Sequence, residues 1–157
     1  MSLVTGDVVS RWVATQLGIT VEIDKTAGVG WAEPDGTITI GAAFYNYTTY
    51  NMYVHLAMLP GHHLTPTFIA AFLDYPFKQA KVHRLTGLIP RKNKAGRSFA
   101  KALGATYEGC LRECLDGGDH LYIFGMLSTE AERWLTAPYQ RRLRRNIREA
   151  VHGKISA

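Results

Sequence analysis

Cysteine is scarce in this sequence, and long apolar runs are absent. Cys110 and Cys114 are the only cysteines, and without a CxxC pair they indicate neither a disulfide framework nor a metal site. We expect both to be packed thiols in a reducing compartment. No run approaches the roughly 20 apolar residues of a membrane span, and MSLVTGDVVS lacks the pattern of a secretion signal. These absences predict a cytoplasmic protein with no metal centre and no membrane segment.

Acidic residues are fewer than basic ones. The chain has 18 Lys and Arg against 13 Asp and Glu, a net charge of +5, which favours anionic partners. Much of the excess lies in a segment predicted to be a basic helix at about 137–154. Its apolar stripe is narrow and consists of Tyr139, Leu143, Ile147 and Val151. This helix is expected either to dock on the folded domain or to bind nucleic acid or an acidic partner.

The apolar content is sufficient for a folded core. With 157 residues, 46% of them hydrophobic, residues 1–157 are predicted to form a single domain. Apolar spacing and turn residues predict the elements in this order: a helix at 5–17, strands at 28–32, 37–47 and 51–59, a helix from 65, a strand at 82–90, a helix at 93–103, a hairpin across 106–127 and a helix from about 128.

This order of elements predicts a mixed α/β (α+β) sheet rather than a doubly wound one. The three successive strands before Leu59 are expected to be antiparallel. A helix then connects the strand that ends at Leu59 with the strand that starts at Val82. Because such a helical crossover joins parallel neighbours, these two strands should lie parallel, with the helix from Thr65 packed across them.

The segment LPGHHLTPTF leads from a predicted strand into a predicted helix. The Thr65 hydroxyl can cap free amides there, and Pro66 suits the first helical position. A helix N-terminus carries unpaired amides and a partial positive charge, so this corner could hold a pyrophosphate group. The loop has one glycine, Gly61.

A longer segment combines several spaced features. From Val82 onwards a strand is followed by an asparagine, a helix, a leucine-glycine corner and a strand with a Glu-Gly pair: Asn93, Phe99, Leu103, Gly104, Glu108, Gly109, Leu111 and Arg112. This pattern resembles the second half of GNAT acetyltransferases. The flanking FLDYPFKQAKVHRL and DGGDHLYIFGMLSTEAERWL are similar to the branch with ribosomal-protein N-terminal acetyltransferases and short phage-borne relatives. The resemblance implies a GNAT-like mixed sheet, flanked by helices, whose central parallel pair is splayed apart.

The resemblance also implies a cosubstrate, acetyl-coenzyme A, and an amine acceptor that the sequence does not identify: a protein N-terminus, a lysine, an RNA or a small molecule. It places the pantetheine arm along the exposed backbone of Leu56, Ala57, Met58 and Leu59, and the pyrophosphate at Gly61, His62, His63, Leu64 and Thr65. Asn93 would contact the pantetheine region or order the loop before its helix. The usual glycine-rich pyrophosphate loop is replaced here by GHHLTP, so His62 and His63 either reach phosphate oxygens or are simply exposed.

Direct attack on the acetyl group needs a neutral amine, and therefore a base or a water chain that removes a proton. Many relatives place a tyrosine or a serine on the helix after the asparagine, but here Ala100 and Gly96 stand at those positions. His55 is the candidate base, because an imidazole titrates near neutral pH, or else it packs within the core. Further candidates for the acceptor site are Glu22, Tyr45, Tyr47 and Asn51, whereas Glu108 is expected either to be structural or to lie near the acceptor.

Two functions are consistent with these features. The first is an acetyl-coenzyme A dependent N-acetyltransferase that transfers the acetyl group by direct attack. The second is a catalytically silent GNAT-like module that engages nucleic acid or a protein partner through the basic segment at about 137–154. A homodimer is possible in either case.

Overall fold

The computed structural model describes residues 1–136, and the predicted basic helix at about 137–154 lies outside this part of the chain. The described elements are β1 Ser2–Thr5, α1 Asp7–Leu17, β2 Ala27–Ala32, β3 Ile38–Tyr45, β4 Asn51–Met58, α2 Pro66–Asp74, β5 Arg84–Pro90, α3 Lys94–Leu103, β6 Thr106–Leu111, β7 Leu121–Leu127 and α4 Ser128–Ala131. Within residues 1–136, no helix has the length and apolar character needed to span a bilayer.

The strands form one mixed sheet in the order β1-β2-β3-β4-β5-β7-β6. β4 and β5 are parallel, and the other neighbouring pairs are antiparallel. The helical connection from β4 to β5 accounts for their parallel arrangement, since such strands need a long crossover. The predicted mixed sheet with a central parallel pair and flanking helices is confirmed.

The sequence pattern does not predict β1, and it places the start of the first helix at residue 5 instead of Asp7. β1 pairs with β2, with Leu3 opposite Trp31. Four residues are too few to show alternation, and the strand depends on pairing with residues far along the chain. Gly6 has φ 98°, a conformation that glycine adopts readily, and it turns the chain from β1 into α1.

The two faces of the sheet carry different helices. On one face α2 contributes the buried side chains Phe68, Phe72 and Leu73 to a core that also includes residues of α3 and α4. On the opposite face α1 packs Val9 and Val13 against β2, β3 and β4. These faces are called here the α2 face and the α1 face. Because side chains alternate along a strand, each position in the sheet can be assigned to one of them.

The start of α2 follows the sequence prediction. The Thr65 hydroxyl accepts a hydrogen bond from the Phe68 N–H at 3.1 Å, and Pro66 occupies the first helical position. At the other end Pro76 has no N–H to donate to an earlier carbonyl. The regular helix therefore ends at Asp74, and one π-helical turn, Tyr75–Gln79, completes the crossover.

The cysteines differ from the prediction. Both thiols are exposed rather than packed. β6 ends at Leu111, and Glu113 has φ 50°, so Cys114 lies in the loop after the strand. The two cysteines therefore do not share a strand face, because the strand ends before the left-handed backbone at Glu113.

Candidate functional site

β4 and β5 pair over only part of their length. Asn51 to Val54 pair with Arg84 to Gly87, and the parallel pairing stops there. β4 remains paired with β3 as far as Met58, and β5 remains paired with β7 as far as Pro90. The sheet therefore opens into a wedge between the C-terminal parts of these two strands.

A cavity of about 400 Å³ lies at this wedge, a volume within the usual range of small-molecule sites. Its lining comes from both faces of the sheet. Val54, Leu56 and Phe99 belong to the α2 face, and Tyr45 and His55 belong to the α1 face. No charged side chain among the described residues lines the cavity, and its polar lining side chains are Tyr45, His55 and Asn93.

The titratable groups of the cavity lie side by side on the α1 face. The Tyr45 and His55 rings are stacked, with centroids 4.3 Å apart and planes 8° apart. Burial lowers the pKa of His55 below its ordinary value of 6.5. Burial, with a smaller contribution from Tyr53, raises the pKa of Tyr45 above 10.0. At neutral pH the imidazole is therefore uncharged and the phenol keeps its proton.

The backbone of β4 offers hydrogen-bonding groups to the wedge. Leu59 donates its N–H to the Thr39 carbonyl at 2.9 Å, so the Leu59 amide is not among the free groups expected there. In an antiparallel ladder successive residues point their backbone groups to opposite sides. Ala57 is therefore oriented like Leu59, towards β3, and the N–H and C=O groups of Leu56 and Met58 point towards the wedge.

The loop before α2 has fewer free amides than the sequence suggests. Pro66 has no N–H, and the Thr65 side chain already accepts from the Phe68 amide. Among the first three helical positions, the Thr67 amide alone could donate to a phosphate. Gly61, His62, His63 and Leu64 belong to the loop and do not line the cavity, and neither does Thr65. His62 is half-buried and His63 is exposed.

Asn93 lines the cavity and also caps α3. Its side-chain oxygen accepts a hydrogen bond from the Gly96 N–H at 2.9 Å. The helix begins at Lys94, so Asn93 precedes it instead of forming its first residue. Cations flank this corner in a segment called here the basic loop, in which Arg91 and Lys92 precede Asn93 and Lys94 and Arg97 belong to the first turn of α3. Lys92 and Lys94 are exposed, and Arg91 binds Asp119 with an N–O distance of 3.1 Å.

The carboxylates considered for the acceptor site lie outside the cavity lining. Glu22 is exposed and forms an ion pair with Lys25. Glu108 forms an ion pair with Arg84, with an N–O distance of 2.7 Å. Asn51 accepts a hydrogen bond at 2.8 Å from the Thr86 hydroxyl, which in turn accepts from Arg84. Asn51 therefore lies at the paired end of β4 and β5, away from the wedge.

Gly87, Leu17 and Ile19 are among the lining residues that were not singled out from the sequence. Gly87 is the last residue of β5 that pairs with β4, and Leu17 and Ile19 lie at and just after the end of α1. A glycine within a strand often marks a place where a ligand or another chain approaches the backbone, so Gly87 carried a usable signal. Leu17 and Ile19 carried none, because their contact with the cavity depends on how α1 docks.

No protein-family model and no curated protein matches this chain. Solved structures do match. A spermidine/spermine N-acetyltransferase from Vibrio cholerae is 16% identical with a TM-score of 0.61, covering 70% of this chain and 69% of that one. A ribosomal-protein-S5-alanine acetyltransferase from Vibrio fischeri is 16% identical with a TM-score of 0.59, covering 67% and 63%. A GNAT-family acetyltransferase from Bacillus anthracis is 17% identical with a TM-score of 0.56, covering 76% and 72%. The chain therefore has the fold of the GNAT acetyltransferases.

Proposed function

We propose that this protein is an acetyl-coenzyme A dependent N-acetyltransferase. The observation that carries the proposal is the wedge between β4 and β5, which begins after Val54 and Gly87 and holds a cavity of about 400 Å³. A sheet that opens at its centre leaves backbone groups unpaired, and an extended ligand with its own amides can satisfy them as an added strand would.

The lining of the wedge fits a pantetheine arm. The backbone groups of Leu56 and Met58 point into it, and its walls on the α2 face are apolar. Gly87 leaves room beside the strand, since a Cβ placed there would meet nothing within 4 Å. Asn93 stands at one edge and could donate its amide N–H to the arm while its oxygen caps α3.

The cosubstrate's phosphates are assigned to the segments at the starts of α2 and α3. The loop from Gly61 to Thr65 offers few helix amides, because Pro66 and the Thr65 cap occupy that helix start. The basic loop supplies the positive charge that the first segment lacks. Both segments lie on the α2 face, so the acceptor amine is assigned to the α1 face.

His55 and Tyr45 then meet the acceptor from the α1 face. Acetyl-coenzyme A supplies an activated acetyl group as a thioester. The uncharged His55 imidazole takes a proton from the amine, directly or through water. The protonated Tyr45 phenol can donate a hydrogen bond to negative charge that develops during the transfer. Glu22 and Asn51 are not assigned a role in proton transfer, because their side chains are engaged elsewhere.

Polyamines named for some structural neighbours are not carried over to this chain. Two or more ammonium groups need carboxylates close to the acceptor path, and the described cavity lining has none. The second predicted function, a silent module acting through residues at about 137–154, has no observation within residues 1–136 that favours it.

Ligand-dependent stability tests the proposal. The full chain is heated alone, with coenzyme A and with acetyl-coenzyme A. A ligand at about one hundred times its dissociation constant stabilises by about 2.7 kcal/mol, which raises the Tm of a domain of this size by about 5 to 10 °C. Release of free thiol is then followed with amines added. An unchanged Tm with both ligands would overturn the proposal.

A further inference from the structure

The α1 face of the wedge has a chemistry that restricts the acceptor. Leu17, Ile19, Tyr45 and His55 line this side of the cavity and are called here the acceptor wall. On the basis of the proposed function, we propose that the acceptor is a single amine carried on an apolar, aromatic body, without a second positive charge. An amine of the 2-phenylethylamine type has this chemistry, and spermidine does not.

The absence of charge in the cavity is the first argument. All the residues that line it, within the described chain, are uncharged at neutral pH. An ammonium group moved from water to such surroundings loses its hydration without gaining a partner, which is costly. A monoamine that gives up its one excess proton enters in its neutral, reactive form and leaves no unpaired charge in the cavity. A polyamine would bring further ammonium groups that find no anion on the acceptor wall.

The neighbouring carboxylates do not supply an anion for a second ammonium group. Glu108 lies on the α1 face, like the acceptor wall. Both of its carboxylate oxygens accept hydrogen bonds from Arg84, at 3.2 and 2.7 Å. Gly125 lies under this ion pair, where a Cβ would contact both side chains. Glu22 is paired with Lys25 on the surface. An acceptor cation would have to displace an existing cation to reach either carboxylate.

The aromatic character of the wall is the second argument. The Tyr45 and His55 rings stack at 4.3 Å, and Tyr53 lies against Tyr45 with a centroid distance of 5.6 Å. Leu17 and Ile19 complete an apolar border. An aromatic ring contacting such a stack gains about 0.5–1.5 kcal/mol beyond the burial of its area, so the wall favours an aromatic over an aliphatic body of equal size.

The groups present account for every bond and proton in the acetyl transfer to this acceptor. The amine nitrogen forms a bond to the thioester carbonyl carbon, and the bond from that carbon to sulfur breaks. One proton leaves the nitrogen for the His55 imidazole, and the departing thiolate takes up one proton from Tyr45 or from water. The products are an amide and the free thiol of coenzyme A, with no oxidant or reductant involved.

The first test compares acceptors at constant acetyl-coenzyme A. Thiol release is measured with 2-phenylethylamine, with its saturated counterpart 2-cyclohexylethylamine and with spermidine, and binding of acetyl-coenzyme A is measured separately by thermal shift. We expect kcat/KM for 2-phenylethylamine to exceed that for spermidine at least tenfold, with 2-cyclohexylethylamine between them. Equal or better use of spermidine overturns the inference. So does a protein that binds acetyl-coenzyme A yet does not acetylate 2-phenylethylamine, whereas loss of cofactor binding overturns the proposed function as well.

The second test introduces the missing charge. Leu17 is 43% exposed and lines the cavity, so Leu17→Glu adds a carboxylate to the acceptor wall without burying it fully. The ratio of spermidine to 2-phenylethylamine activity should rise at least fivefold. Val8→Glu is the matched control, because Val8 is 55% exposed on the same helix and does not line the cavity. A ratio that is unchanged in Leu17→Glu, or that rises equally in both variants, contradicts the inference.

Discussion

The imidazole of His55 lies parallel to the phenol ring of Tyr45, with the ring centroids 4.3 Å apart and the planes 8° apart. His55 is opposite Ala43 and Tyr45 is opposite Tyr53, so the two rings are diagonal neighbours across β3 and β4. Diagonal positions on one face lie within reach of aromatic side chains. The pair is thereby held at the edge of the wedge, where burial keeps the imidazole neutral.

The pH dependence of acetyl transfer should report on His55. A base acts only when unprotonated, so activity is lost as the pH falls through the pKa of His55, which burial places below 6.5. His55→Gln should lower kcat/KM by about 100-fold near neutral pH. Dividing the wild-type rate by the variant rate at each pH cancels the ionisation of the amine. This ratio should decline towards low pH, and a ratio that stays flat across the range would exclude His55 as the base.

Blocking the wedge should prevent cosubstrate binding without damaging the fold. A Cβ at Gly87 would meet nothing within 4 Å, so Gly87→Val directs new methyl groups into open space at the start of the wedge. We expect the Tm of the ligand-free protein to change little and the stabilisation by acetyl-coenzyme A to disappear.

Gly109→Val is the control for this substitution. Gly109 is also a strand glycine, on β6, and a Cβ there would contact Ile123 alone, at 4.0 Å. Gly109 does not line the cavity. This variant should bind acetyl-coenzyme A like the wild type, and equal binding by Gly87→Val would show that the ligand does not use the wedge.

The central sheet could be predicted from the sequence because its signals are local. The crossover between β4 and β5 follows from Thr65 and Pro66 at the start of α2, and the parallel pairing follows from the crossover. The resemblance around Asn93 then indicated a splayed pair. The strand β1 could not be predicted, because its four residues are held by pairing with β2.

The candidate site was less predictable than the sheet. His55 could be singled out by its chemistry, but its stacking on Tyr45 depends on the register of β3 and β4. Leu17 and Ile19 reach the cavity only because α1 packs across β2, β3 and β4. Glu22 looked suitable because a carboxylate near an early strand is chemically competent. Its ion pair with Lys25, three residues later, gives that side chain a local partner instead.

Charge in the basic loop should contribute to phosphate binding. Lys92 and Lys94 flank Asn93, and both are exposed. Changing both residues to Gln removes two charges, each worth about 1 kcal/mol at contact distance in water, so the Kd of acetyl-coenzyme A should rise by about tenfold or more. Acetyl-pantetheine lacks the phosphates, and its Kd should not change. An equal loss of affinity for both ligands would mean that the two lysines affect the pantetheine cavity and do not bind the phosphates.

Two strand glycines should respond in opposite ways to the same added methyl group. At Gly28 a Cβ would lie 2.8 Å from the Val9 Cβ and 2.9 Å from the Ser10 backbone nitrogen, and it would also contact the Gly6 carbonyl. Backbone atoms cannot move aside locally, so Gly28→Ala must push α1 away from β2. Overpacking of this kind costs about 1–3 kcal/mol, which lowers the Tm by about 2 to 12 °C.

Gly87→Ala, with open space around its Cβ, should leave the Tm unchanged or raise it, since alanine restricts the unfolded chain. Thermal unfolding of both variants without ligand decides the matter, and equal shifts would mean that α1 does not press on β2 as the structure shows.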